Sequence, residues 1–156
     1  MLILVRPHQS YLDGLVVAWW LARKRGCYRA IFAVDPDFAR HRVWSWLLRR
    51  YGSWVGGHTM VALDTNSPFA LRTLLRELRE HRIVVLFPQG TGLREGAQRP
   101  DKPGWQWLAR KSCAQVLALE MVYSRFSVAL LETPQPAKRA ITTRLWRPRA
   151  NRGALH

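Results

Sequence analysis

The sequence predicts an α/β domain, a mostly parallel central sheet flanked by helices. Short apolar runs of strand length, Met1-Leu2-Ile3-Leu4-Val5, Ala30-Ile31-Phe32-Ala33-Val34 and Ile83-Val84-Val85-Leu86-Phe87, alternate along the chain with longer segments of helical character. The third run is continuously apolar and rich in β-branched residues, the pattern of an inner parallel strand covered on both faces. Helix start and stop signals fall between the runs. Strands feeding helices in this order give a sheet whose strand ends gather the loops at His8 and Gln89 along one edge.

The first run hands over to a helix within Pro7-His8-Gln9-Ser10-Tyr11-Leu12-Asp13-Gly14. Ser10 is placed to cap the first turn, and Asp13, three residues on, to bond back or to suit the positive end of the dipole. The same Asp13 can reach the imidazole of His8, fix its tautomer and stabilise the imidazolium formed when it takes a proton. Spacing alone does not choose between cap and orienter. The helix continues through Leu15-Val16-Val17-Ala18-Trp19-Trp20-Leu21-Ala22, reads as buried, and stops at Arg23-Lys24-Arg25-Gly26. After the Ala30 to Val34 strand, Asp35-Pro36-Asp37 reads as a turn and helix cap rather than a metal pair.

Phe38 to Tyr51 sets Arg40, Arg42, Arg49 and Arg50 against Trp44, Trp46, Leu47 and Leu48. Such a segment suits a nucleic-acid stripe, a helix lying on an anionic membrane, or a core helix with a solvated basic face. The chain's 8 tryptophans favour the membrane boundary, where an amphipathic ring is stable. Met60-Val61-Ala62-Leu63 is a further strand. Ser67 and Pro68 then open a helix with Leu71, Leu74, Leu75 and Leu78 on one stripe. His81 lies just past it and, like His41 and His156, reads as solvated.

Pro88-Gln89-Gly90-Thr91-Gly92 breaks the central strand and leads into a polar loop that runs to Asp101. Lys102-Pro103-Gly104 precedes a short helix to Lys111. Val116-Leu117-Ala118-Leu119 begins another strand, Thr133-Pro134-Gln135-Pro136 is a turn, and Ile141 to Trp146 is a candidate last strand. Residues 1–146 are expected to form one domain and 147–156 a basic, flexible tail.

The 25 Lys and Arg outweigh 10 Asp and Glu, a formal net charge of +15. Nucleic acid, an anionic bilayer and an acidic carrier protein all suit that charge. Cys27 and Cys113 have no metal-type spacing and read as two buried free thiols in a reducing compartment. The first helix's apolar run is too short to cross a bilayer, and the N-terminus has no signal-peptide pattern. A cytoplasmic location, at the inner face of the cell membrane, is expected.

Taken in order, four motifs resemble the glycerolipid acyltransferase superfamily. They are His8 with Asp13 after four intervening residues, Met60 to Asp64 after a glycine pair, Phe87-Pro88-Gln89-Gly90-Thr91, and Lys102-Pro103-Gly104 before a helix and strand. The superfamily includes the 1-acylglycerol-3-phosphate and lysophospholipid acyltransferases. The likeness spans roughly residues 5 to 123, and Phe32 to Leu86 looks closest to the lysophospholipid branch.

The resemblance implies a glycerol-3-phosphate acyltransferase-like fold; the lack of the family's usual N-terminal membrane-anchoring segment is a departure here, and the chain is expected to be either a fragment or a form that docks by its basic, tryptophan-rich surface. The resemblance also implies fatty acyl transfer from acyl-CoA or acyl carrier protein to the hydroxyl of a lysophospholipid or related glycerolipid, within phospholipid biosynthesis. On it, His8 is the general base, Asp13 its orienter, and Phe87, Pro88, Gln89, Gly90 and Thr91 bind the acceptor, with Arg94 and Lys102 as phosphate partners. No cofactor, no metal and no specific nucleic acid is expected. The chain departs from the family pattern at Gln89, usually Glu, at Pro7, usually Asn, at Thr65, where Arg is common, and at Ala118, near which a proline is usual. The alternative is a non-catalytic basic module that binds anionic lipid or nucleic acid.

Overall fold

Alternate residues of β1 (Leu2–Arg6) point into two separate apolar cores, and the rest of the fold is laid down on either side of that strand. The computed structural model describes residues 1–10, 12–34, 57–63, 68–90, 100–124 and 127–133, with single positions at 36, 42, 43 and 46. Beyond β1, these hold α1 (Asp13–Arg25), β2 (Ala30–Val34), β3 (Thr59–Ala62), α2 (Pro68–Arg79), β4 (Ile83–Leu86), α3 (Gly104–Ser112), β5 (Val116–Tyr123) and β6 (Val128–Thr133).

The strands form one six-stranded sheet in the order β3-β2-β4-β1-β5-β6. β3 to β5 run parallel through β2, β4 and β1, and β6 returns antiparallel to β5. Leu4 of β1 pairs with Leu86 of β4 on one side and with Ala118 of β5 on the other. Ile3, Val5, Phe32, Val85, Leu119 and Met121 bury one face of the sheet under Val17, Ala18, Trp20 and Leu21 of α1. Leu2, Leu4, Ile31, Ala33, Val84 and Leu86 bury the other under Leu74 and Leu78 of α2 and Leu108 of α3. The continuously apolar strands thus lie inside, as their sequence requires.

Several expectations are corrected. α1 is buried along one side only, and Trp19 is 56% exposed. It is the one helix described on its face of the sheet, so among the described residues no second helix covers its outer side. β6 carries no strand signal in the sequence. Its residues are mostly exposed, so nothing selects an apolar period, and backbone pairing to β5 defines the strand. Cys113 is exposed rather than buried, because it occupies the left-handed position that ends α3. The turn into α1, by contrast, is as expected: Ser10 Oγ accepts the Leu12 amide and the Asp13 carboxylate bonds back to the Ser10 amide, with the helix itself entered from Leu12.

At the other end of α1, Gly26 takes φ 58° and donates its amide to the Leu21 carbonyl, a left-handed stop that suits glycine. His81 is exposed just past α2. Most of the Phe38 to Tyr51 segment, Asp35 and Asp37, the caps at Asp64 to Ser67, the Ile141 to Trp146 strand, the tail, His41 and His156 lie outside the described residues.

Leu74 is fully buried between α2 and the sheet. Leu74→Ala is expected to cost about 2–5 kcal/mol in equilibrium denaturant unfolding, from lost burial and the cavity left behind.

Candidate active site

Parallel pairing of β1 with β4 sends both strands out of the same edge of the sheet. The segment after β1 carries His8, and the segment after β4 carries Phe87, Pro88, Gln89 and Gly90. The backbone N–H of His8 donates to Gln89 Oε1 at 3.0 Å, which joins the two segments. The His8 and Phe87 rings stack with centroids 4.3 Å apart and planes 30° apart. The expected gathering of these loops along one edge is therefore observed.

Asp13, the first residue of α1, is 1% exposed. Its Oδ2 accepts from His8 Nδ1, from the Gln9 amide and from the Ser10 amide, each at 2.9 Å. Ser10 completes the turn, with its Oγ accepting the Leu12 amide at 3.1 Å. The sequence offered two roles for Asp13, and the geometry combines them: one oxygen ties the turn amides and the imidazole together. Burial alone would raise the Asp13 carboxyl, but hydrogen bonding from His8 and the Ser10 and Gln9 amides, with help from the Tyr123 hydroxyl, holds it below its ordinary value. With Nδ1–H given to Asp13, the neutral ring keeps its lone pair on Nε2, the arrangement a general base needs.

Gln89 is 8% exposed, and its side-chain carbonyl positions the His8 backbone, a bond for which no charge is required. Gly90 sits at φ +77°, and a Cβ there would come within 2.8 Å of Lys102 Cε, so the bend depends on glycine. The Lys102 amide donates to the Pro88 carbonyl at 2.8 Å, which pins the start of the next segment against the bend. Lys102 thus stands beside the Phe87 to Gly90 loop. Thr91 and Arg94 lie outside the described residues.

Two contributors escaped sequence reasoning. Arg6 at the end of β1 forms a two-pronged ion pair with Asp101, and its guanidinium lies 5.9 Å from the centre of the Trp105 ring. Tyr123 at the end of β5 donates its hydroxyl to the Pro7 carbonyl at 3.3 Å. Burial, and then the neighbouring Asp13, push its phenol well above its ordinary value, so it remains a protonated donor. The available signal was positional: both end strands that flank the His8 loop. Among the described residues, no group of three or more His, Cys, Asp or Glu is placed to hold a metal ion.

A parallel α/β sheet with a carboxylate-held histidine at the mouth of its first helix is the class of protein that fold and site define. A family model described as Acyltransferase matches residues 1–123, from β1 to the end of β5. The chain belongs to this glycerolipid acyltransferase family and is an acyltransferase enzyme.

Because Asp13 is lowered on folding, its charge contributes stability that is complete above the ordinary carboxylate value and lost as pH falls through the depressed one. Asp13→Asn is expected to cost about 1–3 kcal/mol at neutral pH. In denaturant unfolding across pH, its gap from wild type should stay constant above about pH 5 and close as the pH falls below about 4.

Proposed function

We propose that the chain transfers a fatty acyl group from acyl-CoA or acyl carrier protein to the hydroxyl of a lysophospholipid or related glycerolipid, with His8 as general base and Asp13 as its orienter. The observation that carries this reading is the 2.9 Å contact from His8 Nδ1 to a buried carboxylate oxygen that also holds two turn amides. In this reaction His8 Nε2 removes the acceptor hydroxyl proton while the oxygen attacks the thioester carbonyl carbon. The tetrahedral intermediate collapses, the C–S bond breaks, and the departing sulfur takes the proton from the imidazolium. A thioester is already activated, so a positioned base and stabilisation of the oxyanion suffice, without an acyl-enzyme.

Surroundings of the pair support the lipid assignment. An open groove of about 660 Å³ begins at Leu12, the neighbour of Asp13, and runs between Leu15, Val16 and Trp19 of α1 on one side and Ser124, Ser127 and Val128 on the other. Its apolar wall suits a fatty acyl chain. Lys102, over the Gly90 bend, supplies a cation for an acceptor phosphate.

The same features support a peripheral position on the inner, anionic face of the cell membrane. Among the described residues no helix is long and apolar enough to cross a bilayer. Leu12, Trp19, Val43, Trp46 and Val128 are exposed, Arg23 lies over the Trp19 ring at 5.5 Å, and the formal charge is +15. Exposed tryptophan with basic neighbours is favoured at a lipid headgroup boundary.

The test is thiol release from acyl-CoA or acyl carrier protein in the presence of a lysophospholipid panel, with mass spectrometry of the lipid product. His8→Gln keeps a side chain of similar reach but removes the base, and the rate should fall on the order of a hundredfold or more while the thermal midpoint changes little. Wild-type turnover in that variant would reject His8 as the base.

A further inference from the structure

The buried carboxylate of Asp13 is used on one side only. Oδ2 is crowded by three N–H donors, whereas Oδ1 is buried and has no hydrogen-bond partner. A carboxylate oxygen withdrawn from water without a donor is costly, and natural sites rarely leave one so. A donor from a neighbouring element would satisfy it.

β5 runs beside β1 with Arg6 opposite Glu120, and then extends three residues further, to Tyr123. That overhang places the half-buried Tyr123 side chain against the loop from Pro7 to Gln9. Its hydroxyl has two long contacts, 3.3 Å to the Pro7 carbonyl and 3.5 Å to Met121 Sδ. It also stands close enough to Asp13 for the hydroxyl dipole to help hold the carboxylate charge.

We propose that Tyr123 is a positioning residue for the His8 and Asp13 pair: its hydroxyl turns from the Pro7 carbonyl to donate to Asp13 Oδ1, and by sharing that carboxylate it sets how strongly the imidazole holds a proton. This rests on the reading of His8 as base and adds the group that tunes it. With Oδ2 fixed by backbone amides and Oδ1 held by Tyr123, the carboxylate cannot rotate, so the ring it holds keeps Nε2 aimed at the acceptor. The phenol also draws on the Asp13 charge, leaving less to stabilise the imidazolium. That weakening helps the last step, in which the imidazolium must give its proton to the leaving sulfur.

Among the described residues, the titratable groups around the pair are few. Asp13 faces His8 from α1, and Tyr123 faces the pair from β5. Farther out stand the exposed Glu120, Arg6 with its Asp101 partner, and Lys102 over Gly90. Phe87 and Gln89 from the bend after β4 are uncharged. Loss of the phenol therefore acts mainly through Asp13.

Tyr123→Phe keeps the ring and its packing while removing the donor. Asp13 then holds the imidazolium more strongly, so the acid limb of the kcat/KM profile should move to higher pH by about half a unit, a roughly threefold gain in proton affinity. At plateau pH, kcat should fall about two- to tenfold, the worth of one hydrogen bond, with KM unchanged. NMR titration of the His8 ring in the resting protein, assigned against His8→Gln, should show the same upward shift without any need for turnover. Tyr123→Met serves as the second variant and should shift in the same direction. An acid limb and a His8 titration at wild-type positions in both variants would overturn the proposal. If wild type instead shows no His8-dependent turnover, the base assignment fails, and the resting-state titration still decides the role of Tyr123.

Discussion

One carboxylate oxygen holds the site together. Asp13 Oδ2 accepts the imidazole N–H and two consecutive backbone amides, so the turn that leaves β1, the start of α1 and the orientation of His8 are fixed by a single atom. A buried charge is tolerated there because hydrogen bonds replace the water it has lost, and because the first turn of a helix favours an anion. The same bonds that solvate the charge also tie the histidine to the secondary structure. Local folding and ring placement are therefore one event.

Sheet topology does the rest. Parallel neighbours deliver their following loops to a common edge, and the β1 and β4 pairing sets His8 beside Phe87, Gln89 and Gly90 although some 80 residues separate them in the chain. Apolar packing on both faces of these strands gives the edge a rigid base. Base-catalysed attack on a thioester gains from such rigidity, since the acceptor oxygen, the ring nitrogen and the carbonyl must align. Membership of the acyltransferase family agrees with this arrangement and makes the catalytic reading preferable to that of a non-catalytic basic module.

Much of this was legible in the residues, for physical reasons that differ by element. The runs at Leu2, Ala30 and Ile83 are apolar throughout because both faces of their strands are covered, and the Leu74 and Leu78 stripe marks a helix seated on one core. Asp13 was legible as cap or partner, but only coordinates show that one oxygen serves both ends. Ser10 takes the Leu12 amide while Asp13 bonds back to the Ser10 amide, the reciprocal pattern that their spacing suggests. β6 has little apolar signal because it is mostly exposed. The family resemblance implies acceptor binding for Gln89, and its bond to the His8 backbone depends on a contact across the sheet that no local pattern encodes. Tyr123 was silent for the same reason.

The account depends on His8 presenting Nε2 as the free nitrogen while Nδ1–H is held by Asp13. Nitrogen-15 NMR of the histidine rings reads that tautomer directly in the resting protein. Above its titration, the neutral His8 ring should carry its proton on Nδ1, with Nε2 unprotonated. A neutral ring protonated on Nε2 would contradict the account, since the base would then have no lone pair facing the acceptor.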